Sequence, residues 1–206
     1  MRLWHNPASP FARKVRIVAR ETGLLPRIEE ITAMVSPVSP NTDLAARNPL
    51  VKIPALETND GKVLYDSSVI CEYLDSLHNV ERLIPSDAAR WDALRLQSLC
   101  DGILDAAVLC RYETFVRPEP YRWNDWIKGQ FTKINNGLDA LAAEAPAWGA
   151  GFGIGQVGAS LAMLTYLAAK TERIRLGTGV TVLPWHNPVL LAEQATTLDL
   201  LSNGRF

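Results

Sequence analysis

Cysteine is scarce and unpatterned. The three residues, Cys71, Cys100 and Cys110, form no C-x-x-C pair and none of the spacings of a structural zinc site. A disulfide-stapled scaffold is excluded, and free thiols suit a reducing compartment. Histidine is equally sparse: His5, His78 and His186 stand far apart, so no metal is expected. Runs of one charge are missing too. Lys and Arg number 21 against 22 Asp and Glu, for a net charge of -1, which gives no electrostatic footprint for nucleic acid or an anionic membrane. Nor is there a long apolar run, since the least polar window, residues 151–169, is Gly-rich and interrupted by Gln156 and Ser160; no membrane span is expected. The start "MRLWHNPASPF" has neither a basic segment leading into an apolar one nor a small-residue cleavage site. No secretory signal is expected, and the default location is cytoplasmic.

What is present suits a globular protein. Of 206 residues, 48% are hydrophobic and 21% charged, enough for a core in one domain or two compact ones. "MRLW" before "HNP" predicts a short strand entering a turn. A helix follows from Phe11, with positions 11, 15, 18 and 22 on one face, Arg13, Lys14 and Arg16 elsewhere, and Gly23 as its stop. "RIEEITAMV" reads as a second strand. "SPVSPNTDLAARNP" is a loop with one turn around Asp43 to Arg47. Two β-rich runs then flank Asn59-Asp60-Gly61, residue types that tolerate the positive φ of a tight hairpin. A helix starts near Asp66-Ser67, with positions 70, 73, 74 and 77 on one face.

After Pro85 the texture changes. Apolar positions 96, 99, 103, 107 and 110, then 127, 131, 134, 138 and 141, repeat at helical spacing around the break "RPEP". Beyond residue 165, "RIRLGTGVTVLP" has strand character and "NPVLLAEQATTLDLLSNG" helix character. The fold class read from this is α+β: a small α/β domain over residues 1–78, an all-helical domain over 86–165, and an atypical strand-helix tail over 166–206. Glycines 149, 151, 153 and 155 follow no strand and are not G-x-G-x-x-G, so a dinucleotide loop is not expected.

Three places combine chemistry with a structural alternative. Ser9-Pro10 is a common helix start, with Ser as cap and Pro at the first helical position. Pro54 could simply begin an edge strand. Asp66-Ser67 are preferred caps, although the unpaired N–H groups they introduce also favour a carboxylate ligand.

"ASPFARKVRI", "NPLVKIPAL" and "LYDSSVICEYLD", in this order and spacing, resemble the glutathione-binding, thioredoxin-like domain of the cytosolic glutathione transferases. "RYETFVRPE" with "GQFTKINNGLDAL" resembles the helical domain of the bacterial members. The resemblance implies a transferase that adds the glutathione thiolate to a small electrophile, with glutathione as co-substrate and Ser9 as the catalytic hydroxyl. It implies that the main chain of Ile53, before a cis Pro54, pairs with the cysteinyl backbone, and that Lys52 approaches the glycyl carboxylate. Ser67 would take the γ-glutamyl carboxylate and Asp66 its ammonium, while Arg111 and Tyr112 are acceptor-lining candidates. A homodimer is implied as well. With no cysteine in Ser9-Pro10-Phe11-Ala12, disulfide exchange through this motif is excluded.

Residues 166–206, "YLAAKTERIRLGTGVTVLPWHNPVLLAEQATTLDLLSNGRF", resemble an internal piece of the luciferase-like flavin-dependent monooxygenases. Such a piece supplies one strand and one helix of a barrel that typically needs about 250 residues, so flavin is not expected. The pattern is that of a chimera whose transferase-like helical domain is truncated. Two further readings stay open: a non-catalytic glutathione-binding module and a flavin-dependent monooxygenase fragment.

Overall fold

The structure, a computed structural model, describes residues 1–79 and 82–144. The strand and helix expected over 166–206, and the helical domain beyond residue 144, lie outside the described residues. The chain divides into two compact units, Met1–Leu94 and Arg95–Phe206.

In the first unit, strand β1 (Arg2–His5) leads into helix α1 (Pro10–Glu21), which carries the chain to β2 (Glu29–Thr32). β1 and β2 pair in parallel, and parallel neighbours need such a helical crossover. After the short helix α2 (Thr42–Ala45) come β3 (Ala55–Glu57), β4 (Val63–Leu64) and helix α3 (Ser67–Asp75). The sheet order is β2-β1-β3-β4, with β3 antiparallel to both its neighbours. Pro54 therefore opens an internal strand, which corrects the edge-strand alternative. The β3–β4 hairpin closes as Asn59-Asp60-Gly61 predicts: Gly61 takes φ 82° and its N–H donates to Thr58 O at 3.0 Å.

Leu3, Val15, Val18, Ala19, Leu56, Ile70, Cys71 and Leu74 form the core between the sheet, α1 and α3. α1 packs on both the sheet and α3, so its buried arc is wider than one stripe. Lys14, expected off the apolar face, is buried within it. Leu77, expected on the inner face of α3, falls past the helix end at Ser76 and is exposed.

The second unit contains most of helix α4 (Ala89–Arg111), a single π-helical turn over Tyr112–Val116, and helix α5 (Asn124–Glu144). Gly137 on α5 lets Ile103 of α4 approach so closely that an added Cβ would lie 2.6 Å from its Cγ1. Two residues depart from the expected stripes. Ala107 and Phe131 face outward, while Ala106, Gln130 and Gly137 are buried. Periodicity alone sets the spacing of a stripe, and the two helices bury a face slightly rotated from it.

The C-terminal end of α3 is fixed by one buried carboxylate. Asp75, 2% exposed, accepts from Leu83 N at 2.8 Å, from Ile84 N at 3.1 Å and from the His78 ring Nε2 at 2.9 Å. Burial alone would raise its pKa, but donation from Leu83, His78 and Ile84 prevails and holds the carboxyl below its ordinary value. A carboxylate depressed on folding stabilises the fold above its unfolded pKa, and that stability is lost as pH falls through the folded value. Asp75→Asn is expected to cost about 2–4 kcal/mol in urea unfolding at neutral pH, because the amide sets N–H against N–H. The gap between variant and wild type should narrow as pH falls below about 4. A pH-independent gap would contradict this account.

Candidate active site

The strand directions bring the sequence-predicted residues of the first unit to one end of the sheet. β1 ends at His5 and runs on to Ser9; β3, antiparallel, begins opposite Trp4 at Ala55, directly after Ile53-Pro54. β4 runs with β1 and passes at its end into Tyr65 and Asp66. Ser9, Ile53-Pro54 and Asp66-Ser67 thus flank one sheet edge, beyond the C-terminal ends of the parallel strands, where open α/β sheets bind ligands.

Ser9 caps α1 in an extended conformation (φ -80°, ψ 120°), its Oγ accepting from Ala12 N at 3.2 Å. Asn6 shapes the approach: Oδ1 accepts from Ala8 N at 2.9 Å, and its carbonyl accepts from Ser9 N at 2.9 Å. The Ser9 hydroxyl is half-buried, and its own O–H donates to no described residue. It stands as a free donor at the positive end of a 12-residue helix.

The Ile53-Pro54 bond is cis. Ile53 packs partly buried against Trp4, Ala33, Leu44 and Ala55, and among the described residues its N–H and C=O make no hydrogen bond. The turn before it is built around Asn48, 1% exposed, which sequence reasoning missed. Its Nδ2 donates to Lys52 O at 2.9 Å, its Oδ1 accepts from Leu50 N at 3.0 Å, and its carbonyl holds Val51 N at 2.8 Å. This clamp keeps Val51 at φ 50°, a conformation that β-branched residues rarely adopt. The Asn-Pro pair was the available signal, since Asn commonly folds its side chain onto nearby backbone. The Lys52 side chain is exposed.

Asp66 caps α3, with Oδ1 accepting from Ser68 N at 2.9 Å. Ser67 is 3% exposed at the first helical position. Among the described residues its hydroxyl, its N–H and the N–H of Val69 have no partner, so donors converge on the helix start. In the second unit, the Arg111 guanidinium lies 4.7 Å over the Phe115 ring, and Tyr112 is half-buried at the start of the π-helical turn. No group of three or more metal-ligating side chains occurs among the described residues, and no helix among them is long and apolar enough to cross a membrane. An open cleft of about 660 Å³ lies at the opposite end of the sheet, lined by Met1, Arg27, Glu57 and Asn59 among others.

A GST-like protein of Escherichia coli is 33% identical over 142 residues, covering 68% of each chain. The chain belongs to the glutathione S-transferase family. The profile of the glutathione S-transferase N-terminal domain matches residues 8–77, which span Ser9, Pro54 and Ser67. A glutathione transferase family member from Pseudomonas fluorescens, solved with bound glutathione, superposes with a TM-score of 0.71 at 40% identity, over 95% of this chain and 93% of that one. A second structure of that protein, with bound S-(propanoic acid)-glutathione, gives 0.69 at 39% identity. The thioredoxin-like domain followed by a helical one is thus the family architecture. The other resemblance also holds: the luciferase-like monooxygenase profile matches residues 135–206. The alkanal monooxygenase beta chain of Photorhabdus laumondii is 44% identical over 54 residues, 26% of this chain and 17% of that one. This family member therefore carries a luciferase-like fragment. Residues 135–144 of the matched stretch form the last turns of α5; the remainder lies outside the described residues.

The two roles of the Ser9 hydroxyl separate by substitution. Ser9→Ala should lower stability by about 1 kcal/mol through loss of the cap, whereas Ser9→Asp, which keeps a capping oxygen, should cost less. Urea unfolding of both variants checks this; equal losses would mean that Ser9 does not cap α1 in solution.

Proposed function

We propose that this chain binds glutathione at the sheet edge and adds its thiolate to a small electrophile. The observation that carries the reading is the Ser9 geometry: a hydroxyl fixed as the α1 cap, with its own proton unused, at the positive end of the helix. A donor and a helix dipole both favour a thiolate over a thiol, and the thiolate is the nucleophile. In the conjugation, the sulfur lone pair forms the new S–C bond. In a substitution the bond to the leaving group breaks and that group departs with the electron pair; in an addition to a conjugated double bond, the resulting carbanion takes a proton from water.

The remaining site residues follow the same reading. Ile53, held by cis Pro54, pairs its main chain with the cysteinyl backbone as an added strand would. The Ser67 hydroxyl and amide take the γ-glutamyl carboxylate, Asp66 takes its ammonium, and Lys52 meets the glycyl carboxylate. Arg111 and Tyr112, in the second unit, are the candidates for contact with the electrophile. Glutathione bound to the Pseudomonas fluorescens relative supports the co-substrate, and its bound S-substituted glutathione supports a conjugated product. On this reading residues 1–78 are the glutathione-binding domain and 86–165 the helical domain, the protein is cytoplasmic, and it works as a homodimer. Flavin has no part in the reaction.

The test is ultraviolet titration of the thiolate of bound glutathione. The bound thiol should ionise about 2 pH units below a free thiol of pKa about 8.5, and Ser9→Ala should return at least half of that shift. Wild-type protein should also conjugate chlorodinitrobenzene. Binding without turnover would favour a glutathione-binding module, and absence of binding would overturn the proposal.

A further inference from the structure

The sulfur atoms of the described residues are unequally placed. Cys71, Cys100 and Cys110 are all buried, and burial pushes the Cys110 thiol up, away from the thiolate that oxidants attack. Met1 packs partly buried against the core of the first unit. Met34, just beyond the end of β2, is 75% exposed. It is therefore the sulfur that an oxidant in solution meets first among the described residues.

Two asparagines and a backbone bond hold this exposed residue. Asn6 Nδ2 donates to Met34 Sδ at 3.3 Å and to Ala33 O at 3.2 Å, and Asn41 Nδ2 donates to Met34 O at 3.3 Å. Ala33 N donates to His5 O at 2.7 Å, so the main chain at Met34 is held from both ends. The other end of the Asn6 amide accepts from Ala8 N, and the Asn6 carbonyl accepts from Ser9 N. One residue thus links an exposed thioether to the turn that presents Ser9. A thioether is a weak acceptor, whereas its sulfoxide is a polar group with an oxygen to offer.

We propose that Met34 is an oxidation site whose state is read at the Ser9 turn through Asn6. With a peroxide as oxidant, a sulfur lone pair attacks one peroxide oxygen; the S–O bond forms and the O–O bond breaks. The departing hydroxide takes the proton of the transferred oxygen and leaves as water, so sulfur loses two electrons and the peroxide gains them. The exposed, flexible side chain retreats to admit the new oxygen, which accepts from Asn6 Nδ2 in place of sulfur. Asn6 is then held more firmly toward Met34, and the Ala8 and Ser9 amides that bond to Asn6 respond. The coupling holds whether or not this edge binds glutathione.

The experiment treats wild type and Met34→Leu with hydrogen peroxide, reading peptide masses and the ¹H–¹⁵N spectrum. Met34 should gain oxygen at least about threefold faster than Met1. In wild type the Asn6 side-chain amide and the Ala8 and Ser9 main-chain amides should shift as the sulfoxide accumulates. They should return when methionine sulfoxide reductase, with dithiothreitol oxidised to its disulfide, restores the thioether and releases water. Met34→Leu should show no peroxide-dependent shift at these positions, which separates the effect from oxidation elsewhere in the chain. Met34→Gln, whose amide oxygen is a strong acceptor, should displace the same resonances without peroxide. Oxidation of Met34 no faster than that of Met1 overturns the site. Sulfoxide at Met34 with Asn6, Ala8 and Ser9 unmoved, or the same shifts in peroxide-treated Met34→Leu, overturns the coupling.

Discussion

The site depends on one constraint: β1 pairs in parallel with β2 on one side and antiparallel with β3 on the other. The parallel pair needs a crossover helix, which places the start of α1 directly after β1. The antiparallel pair makes β3 begin where β1 ends. The hairpin then returns β4 in the direction of β1, so α3 starts at that same edge. Two helix N-termini and a turn with unpaired backbone groups are brought together by topology before any side chain is chosen.

Side chains refine that edge. Both helices are capped by short oxygen-bearing residues, Ser9 and Asp66, whose acceptors satisfy one amide each and leave the others of the first turn available. The two caps differ in charge. Serine retains a proton to donate, which suits an anionic sulfur, whereas aspartate can only accept, which suits an ammonium. Between them Asn48 is the rigid element: nearly inaccessible to solvent, it secures Leu50, Val51 and Lys52 and so fixes the backbone that precedes Ile53. The buried Asp75 does the corresponding work at the far end of α3, tying it to residues 82–84.

Much of this was legible in the sequence, because the relevant signals are local. Ser-Pro at a helix start, Asn-Asp-Gly in a hairpin and Asp-Ser before an apolar repeat each act through their own backbone, and each element lies where those residues put it. What was not legible depends on contacts between elements. Lys14 reads as lying off the apolar face until α3 is seen packed beside α1, and Pro54 can be read as the start of an edge strand until β4 is seen pairing with β3. The faces of α4 and α5 were about one position off at Ala107 and Phe131, since periodicity locates a stripe but not the neighbour that selects among its residues. Arg111 and Tyr112 carried only the family resemblance, and their surroundings within the second unit are a Phe115 ring and a π-helical turn.

The central claim is that glutathione is held by unpaired backbone at this one sheet edge. The direct measurement is a ¹H–¹⁵N correlation spectrum recorded while glutathione is added. The amides of Ile53, Ser67 and Val69 should shift together, with a single saturation curve, while Arg2, Glu29 and Asn59 at the opposite edge stay in place. Saturable shifts confined to that opposite edge, or none at Ile53 and Ser67, would contradict the account.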